Sequence, residues 1–226
     1  MLTIRFHGHA CFGLDLPDGT SLCIDPFEAG GFGGLLPHRG VPDRYTRVVC
    51  THEHADHNAT HAIPSARRIA QQHREPSLHI DTFTAPHDEH GGRLRTGLVS
   101  LLRIETGGAT IVHLSDLGER PHGALLRWLR ERPTDLLIGP VGGYFTLDAD
   151  GFAELIALVK PRFAIGCHSA EDGARFPDLD NLSLLNARLG PAVMGATLTV
   201  GDDAVWALDG APIPASQQLL RLRIAQ

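Results

Sequence analysis

The chain predicts a mixed α/β fold. Its front half reads as short strands joined by tight turns, its back half alternates strands with amphipathic helical stretches, and 226 residues at 42% hydrophobic content can bury one sizeable core. Leu2 to Phe6, Cys11 to Leu16 and Ser21 to Ile24 are short apolar or alternating runs, and Asp18-Gly19 between the last two is a hairpin signal. Glu28 to Pro42, rich in glycine and proline, predicts a long loop able to close over a pocket. Asn58 can cap a helix over Thr60 to Gln72, which Pro64 breaks or delays. Leu78 to Phe83 and Ala109 to Ser115 are strand-like. Gly123 to Glu131 is helical and stopped by Pro133, Thr134 to Ile138 is a strand, Asp148 to Val159 is a helix ended by Lys160-Pro161, and Phe163 to Cys167 is a strand. A last helix near Leu182 to Leu189 and a hairpin of Thr197 to Val200 with Ala204 to Leu208 follow, and residues after Gly210 read as a tail. The expectation is one domain over residues 1–226.

Twenty-six acidic against 20 basic residues give a formal charge of −6, which weighs against broad capture of nucleic acid or an anionic membrane. No stretch is apolar enough to cross a bilayer, and Met1 to His7 lacks a basic head and apolar signal core, so a cytoplasmic location is expected by default. Cys11, Cys23, Cys50 and Cys167 lie singly in strand-like runs without CxxC spacing, which favours buried free thiols.

The densest chemistry is His52-Glu53-His54-Ala55-Asp56-His57, directly after the apolar Val48-Val49-Cys50. Residues two apart in an extended segment point the same way, so His52 and His54 can converge on one ion while Asp56 and His57, as the chain bends, face another. Further His and Asp residues end strand-like runs: His87 after Leu78 to Phe83, Asp116 after Ala109 to Ser115, His168 after Arg162 to Cys167.

This run resembles the HxHxDH signature of the metallo-β-lactamase superfamily, and His87, Asp116 and His168 supply, in order, the remaining ligands of that pattern. The resemblance implies a four-layer αββα sandwich with His52, His54 and His87 on a first metal, Asp56, His57 and His168 on a second, and Asp116 bridging. Phe6-His7-Gly8-His9-Ala10-Cys11-Phe12, Ile24-Asp25-Pro26-Phe27 and Ser115-Asp116 are similar to the ascorbate-6-phosphate lactonase-like branch of metal-dependent hydrolases, except that Ser115 stands where that branch has glycine. By the same likeness His9 and Asp25 are outer groups that fix a ligand or contact substrate. Arg93 and Arg95, following His87, are candidates for anchoring a substrate phosphate. Of the other histidines, His113 is expected buried in a strand and His38 in a loop contact.

The resemblance implies two divalent ions, zinc by preference with manganese the alternative, and a bridging hydroxide formed near pH 7 as nucleophile, with Asp116 and Asp56 holding and orienting it. Two divalent ions outweigh the site's carboxylates and hydroxide, so the expected substrate is a small anionic ester, lactone or phosphoester. A phosphodiesterase or nuclease is the runner-up within the enzyme class, and a catalytically silent metal-binding sensor is the rival outside it. The expected partner is a small molecule rather than nucleic acid or membrane, and a homo-oligomer stays open.

Overall fold

Period-two alternation decides the architecture. Ile4 and Phe6 of β1 (Thr3–Gly8), Phe12 and Leu14 of β2 (Cys11–Asp15) and Leu22 and Ile24 of β3 (Ser21–Ile24) enter one buried cluster, while Cys11 and Cys23 enter another on the opposite face. The computed structural model describes residues 1–94, 97–170, 184–185 and 188, and the backbone of three later strands. β4 (Arg47–Val49), the short β5 (Arg67–Arg68) and β13 (Val205–Ala207) complete a sheet in the order β13-β1-β2-β3-β4-β5.

The second sheet runs β12-β14-β11-β10-β9-β8-β7-β6, from β6 (His73–Glu75), β7 (Leu78–Pro86), β8 (Leu98–Thr106), β9 (Ala109–His113), β10 (Leu136–Pro140), β11 (Phe163–Cys167), β12 (Thr197–Thr199) and β14 (Gln218–Arg221). β6 to β9 pair antiparallel; β9, β10, β11, β14 and β12 are parallel. Its inner face adds Ile80, Leu102, Ile104, Ile111, Ile138 and Ile165 to the cluster shared with the first sheet, so the main core lies between the two sheets. On its outer face Leu125, Trp128 and Leu129 of α2 (Gly123–Arg130) and Phe152, Leu155 and Ile156 of α3 (Ala149–Val159) bury against Val112, Leu114 and Leu137. Asp148 caps α3, its Oδ1 accepting from the Gly151 amide at 2.8 Å.

Among the described residues the outer face of the first sheet is covered by the segment from Phe27 to Ile63, not by a long helix. Leu36, Val41 and Tyr45 pack there on Cys11, Cys23 and Val48. The expected loop over 28–42 is therefore packed against the sheet, with one helical turn, α1 (Gly31–Gly34), and with His38 buried beside Phe27.

Three expectations are corrected. No helix runs over Thr60 to Gln72: a single 3-10 turn (Thr60–Ala62) ends before Pro64, and the amides of Arg67 and Ile69 donate to Thr46 and Val48, extending the first sheet. Pro64 interrupts the run, and Ile63 and Ile69 are the only large apolar residues on its helical spacing, so sheet pairing outweighs helix propensity. Thr197 to Thr199 and Val205 to Ala207 are not a hairpin; they enter different sheets, pairing with β14 and β1. Gln218–Arg221, within the expected tail, pairs between β11 and β12. Both changes cover sheet edges that β1 and β11 would otherwise expose. Strand β8 was not anticipated, although its alternation and the Gly107-Gly108 turn before β9 are a hairpin signal. The expected helix near Leu182 to Leu189 lies mostly outside the described residues.

Candidate metal centre

Each of the seven residues of the ligand pattern follows the end of a strand at one edge of the sandwich. β4 delivers Thr51 to His57, β7 delivers His87, β9 delivers Ser115 and Asp116, and β11 delivers His168. The turn between β1 and β2 adds His9, and the end of β3 adds Asp25.

Asp116 is the centre of the arrangement. Its Oδ2 lies 3.0 Å from His57 Nε2, 3.3 Å from His87 Nε2, 3.4 Å from His168 Nε2 and 3.8 Å from His52 Nε2. Two groups of donors flank it: His52, His54 and His87 on one side, and His9, Asp56, His57 and His168 on the other, each with its candidate ligand atoms within 4.8 Å of one another. The structure thus brings together all seven residues of the sequence pattern, and it adds His9 to the second group, its Nε2 3.0 Å from Asp56 Oδ2.

Outer hydrogen bonds fix a proton on Nδ1 of three of the rings. His57 Nδ1 is 3.1 Å from Asp25 Oδ2, and a carboxylate only accepts, so Nδ1 is the donor and Nε2 points inward. Asp25 also accepts from the Thr51 amide and the Thr51 hydroxyl, each at 2.7 Å. With its proton given to Asp25, Thr51 Oγ1 must accept from His52 Nδ1 at 2.9 Å, which leaves His52 Nε2 with a lone pair. His87 Nδ1 donates to the Phe145 carbonyl at 2.9 Å, with the same result. Such outer partners are how metal-ligating imidazoles are oriented.

The donor set fits a cation. Imidazole lone pairs and carboxylates crowd one buried space, and His87 Nε2, Asp56 Oδ1 and Asp116 Oδ1 are buried without a hydrogen-bond partner. Buried acceptors facing one another are costly unless positive charge lies between them. Where no ion lies between them, the carboxylates, against the effect of burial, hold protons on neighbouring rings instead and raise both His57 and His87 above the usual histidine value. Burial pushes His57 toward neutrality, but Asp116 and Asp56 outweigh it and hold its pKa well above the usual histidine value. Burial opposes ionisation of Asp116 too, yet His168 and His57 keep it well below the usual carboxylate range. Burial drives His52 down to about 3 and His168 down to about 4, so both are neutral and able to ligate at pH 7.

The remaining expectations divide. Asp25 is fully buried under the ligands, and His9 lies among them. Arg93 is exposed in the loop after His87, and Arg95 lies outside the described residues. That loop is shaped by buried Asp88, which accepts from the amides of His90, Gly92 and Leu94. A cavity of about 350 Å³ lies on the Phe145 side of His87, lined by Leu94, Arg120, Tyr144 and Phe145, so Arg120 rather than Arg93 borders it. The roles of Thr51, Ser115 and Phe145 were missed. Thr51 and Ser115 adjoin ligands in sequence, which is a usable signal; the Phe145 carbonyl, 58 positions from His87, gives none. The four cysteines are buried and free.

Residues 3–168 match the family model described as a beta-lactamase superfamily domain. The chain belongs to the metallo-β-lactamase superfamily. Among curated relatives, a protein named UPF0173 metal-dependent hydrolase from Carboxydothermus hydrogenoformans is 27% identical over 198 residues, covering 74% of this chain and 84% of that one. One from Thermococcus onnurineus with the same name is 28% identical over 196 residues, with the same two coverages. Solved structures share the fold: a member of the metallo-β-lactamase superfamily from Thermotoga maritima superposes with a TM-score of 0.72 at 20% identity, covering 97% of each chain. Igni18, a metallo hydrolase from Ignicoccus hospitalis, superposes with a TM-score of 0.61 at 18% identity, covering 84% of this chain and 91% of that one.

Proposed function

We propose that this superfamily member is a metal-dependent hydrolase with a dinuclear centre that cleaves a small anionic ester, lactone or phosphoester. The observation that carries it is the convergence of four imidazole Nε2 atoms within 3.8 Å of one buried carboxylate oxygen, Asp116 Oδ2. His52, His54 and His87 would hold one ion, Asp56, His57 and His168 the other, and Asp116 both. When bound, two divalent ions supply Lewis-acid polarisation of the attacked bond and a water activated near neutral pH, with zinc favoured by the imidazole-rich set.

The chain's own groups do the rest. Asp25 and Thr51 hold the Nδ1 protons of His57 and His52, so Nε2 is the nitrogen each would present to an ion, and an ion at His57 would take the place of a proton. Asp56 is held by His9 through Oδ2 while Oδ1 has no hydrogen-bond partner, and, against burial, His57 and His9 keep its carboxyl well below the usual carboxylate range, which suits it to accept a hydrogen bond from the attacking water and orient it. Asp116 and Asp56 would be the ligand carboxylates and, even with one hydroxide, would not neutralise two divalent ions; the positive charge left at the ligands would draw an anionic substrate into a chain whose formal charge is −6.

The full-length protein, purified and dialysed, is expected to carry close to two equivalents of divalent metal by elemental analysis. A panel of generic lactones and bis-para-nitrophenyl phosphate should show turnover that chelator abolishes and that Asp116→Ala lowers by at least about 10³-fold, since it removes the group shared by both ions. Metal at full stoichiometry with no turnover on any member would favour a sensor and sink the hydrolase reading.

A further inference from the structure

Four residues of the site, His9, Asp25, Ser115 and His168, hold left-handed φ angles of 50 to 55° without being glycine. Such a backbone costs free energy and persists only where the surroundings over-determine it. Three of these residues are ligands or support one directly. Ser115 is not explained that way. It is fully buried, at φ 51°, and immediately precedes Asp116.

Its two donors run in opposite directions. The hydroxyl donates to Thr51 Oγ1 at 2.7 Å and lies 3.5 Å from His52 Nδ1. The backbone amide donates to His113 Nδ1 at 3.0 Å, and because that nitrogen accepts, His113 Nε2 carries the ring proton and donates to the Ala10 carbonyl at 3.1 Å. Ala10 follows His9 in the β1 to β2 turn, whose His9 carbonyl accepts from the His168 amide at 2.8 Å. One residue therefore links the first ligand group, through Thr51 and His52, with the second, through His113, Ala10 and His9. Thr51 has spent its own proton on Asp25, so the Ser115 hydroxyl can only reinforce that orientation.

We propose that Ser115 is a positioning residue of the metal centre, a buried left-handed serine whose hydroxyl and amide brace both ligand groups around the adjoining Asp116. The proposal rests on the metal-centre reading above. Ser115→Gly keeps the amide, accepts the left-handed backbone and deletes only the hydroxyl; Ser115→Ala deletes the hydroxyl and keeps the strained backbone. In the full chain stripped of metal, zinc is titrated against a chromophoric chelator. Both variants are expected to bind at least one zinc equivalent about 10-fold or more weakly than the parent. Metal-free Ser115→Gly should unfold no earlier than the parent, and the His52 Nδ1–H resonance of the zinc-loaded parent should be lost or broadened in both variants. Parent-like affinity for both equivalents in Ser115→Gly, with the His52 resonance intact, would overturn the proposal, because a merely structural serine changes unfolding and not metal affinity. A parent that binds no zinc would instead remove the metal-centre reading, and the proposal with it.

Discussion

At the scale of single residues, the site is governed by where protons can sit. Asp25 collects three donors, two from Thr51 and one from His57, and so sets the tautomer of an imidazole in each ligand group. Asp25→Asn can accept on one oxygen only, and we expect zinc affinity to fall about 10- to 100-fold, read by competition with a chelating dye, with the fold retained by circular dichroism. A second buried histidine titrates away from the ligands. Burial, helped by Arg5, lowers His7 to about 4, and its ring is hydrogen-bonded to the Tyr45 hydroxyl. Its folded value lies below the unfolded 6.5, so its contribution is complete above pH 6.5 and is lost as pH falls toward 4. On the order of 3 kcal/mol is at stake over that window. In the metal-free state, the drop in denaturant stability between pH 7 and 4.5 should be smaller for His7→Gln than for the parent; equal drops would contradict this assignment.

At the scale of elements, strand ends carry the chemistry and close backbone approaches hold those ends in register. Gly118, two residues beyond Asp116, shows this. A Cβ there would lie 2.2 Å from the His87 carbonyl oxygen and 2.3 Å from the Asp88 nitrogen, while its own amide donates to the Pro86 carbonyl at 3.0 Å. The ends of β7 and β9 can be this close only without a side chain. Gly118→Ala should cost roughly 1–3 kcal/mol by forcing the two segments apart, and should weaken zinc binding by displacing His87 from Asp116. Unfolding titrations and zinc competition on the same protein check both effects. Local pattern made β2, β3, α2, α3 and β11 legible almost to the residue, because each couples a clear period to a turn or cap residue such as Gly19, Pro133 or Asp148. It misplaced Thr60 to Gln72, where the backbone donors of Arg67 and Ile69 found partners across space on Thr46 and Val48.

At the scale of the whole molecule, the metal site is the rim of a structure whose apolar core does not depend on it. Three buried clusters, between the sheets, under the helices and beneath the Phe27 to Ile63 segment, contain none of the proposed ligands. Chelation should therefore lower the midpoint of thermal unfolding without abolishing the cooperative transition. At free zinc a thousandfold above the dissociation constant, bound metal would add about 4 kcal/mol, and calorimetry with and without chelator measures the difference. A metal-free protein lacking any cooperative transition would mean that the ligands, not the clusters, hold the sheets together. Among the described residues no helix is long and apolar enough to cross a membrane.

The order of residues carries the mixed α/β class, the strands that alternate and the His52 to His57 run, because period-two burial and the ligand types of that run stand in neighbouring positions; His87, Asp116 and His168 are picked out by the family resemblance. Contacts across space set Asp116 at the focus of four imidazoles, put Asp25 and Thr51 behind two of them, bring His9 into the second group and separate the late strands into different sheets. Those facts depend on which distant strand ends meet and on which buried donor finds which acceptor, and through-space pairing of that kind leaves no spacing along the chain.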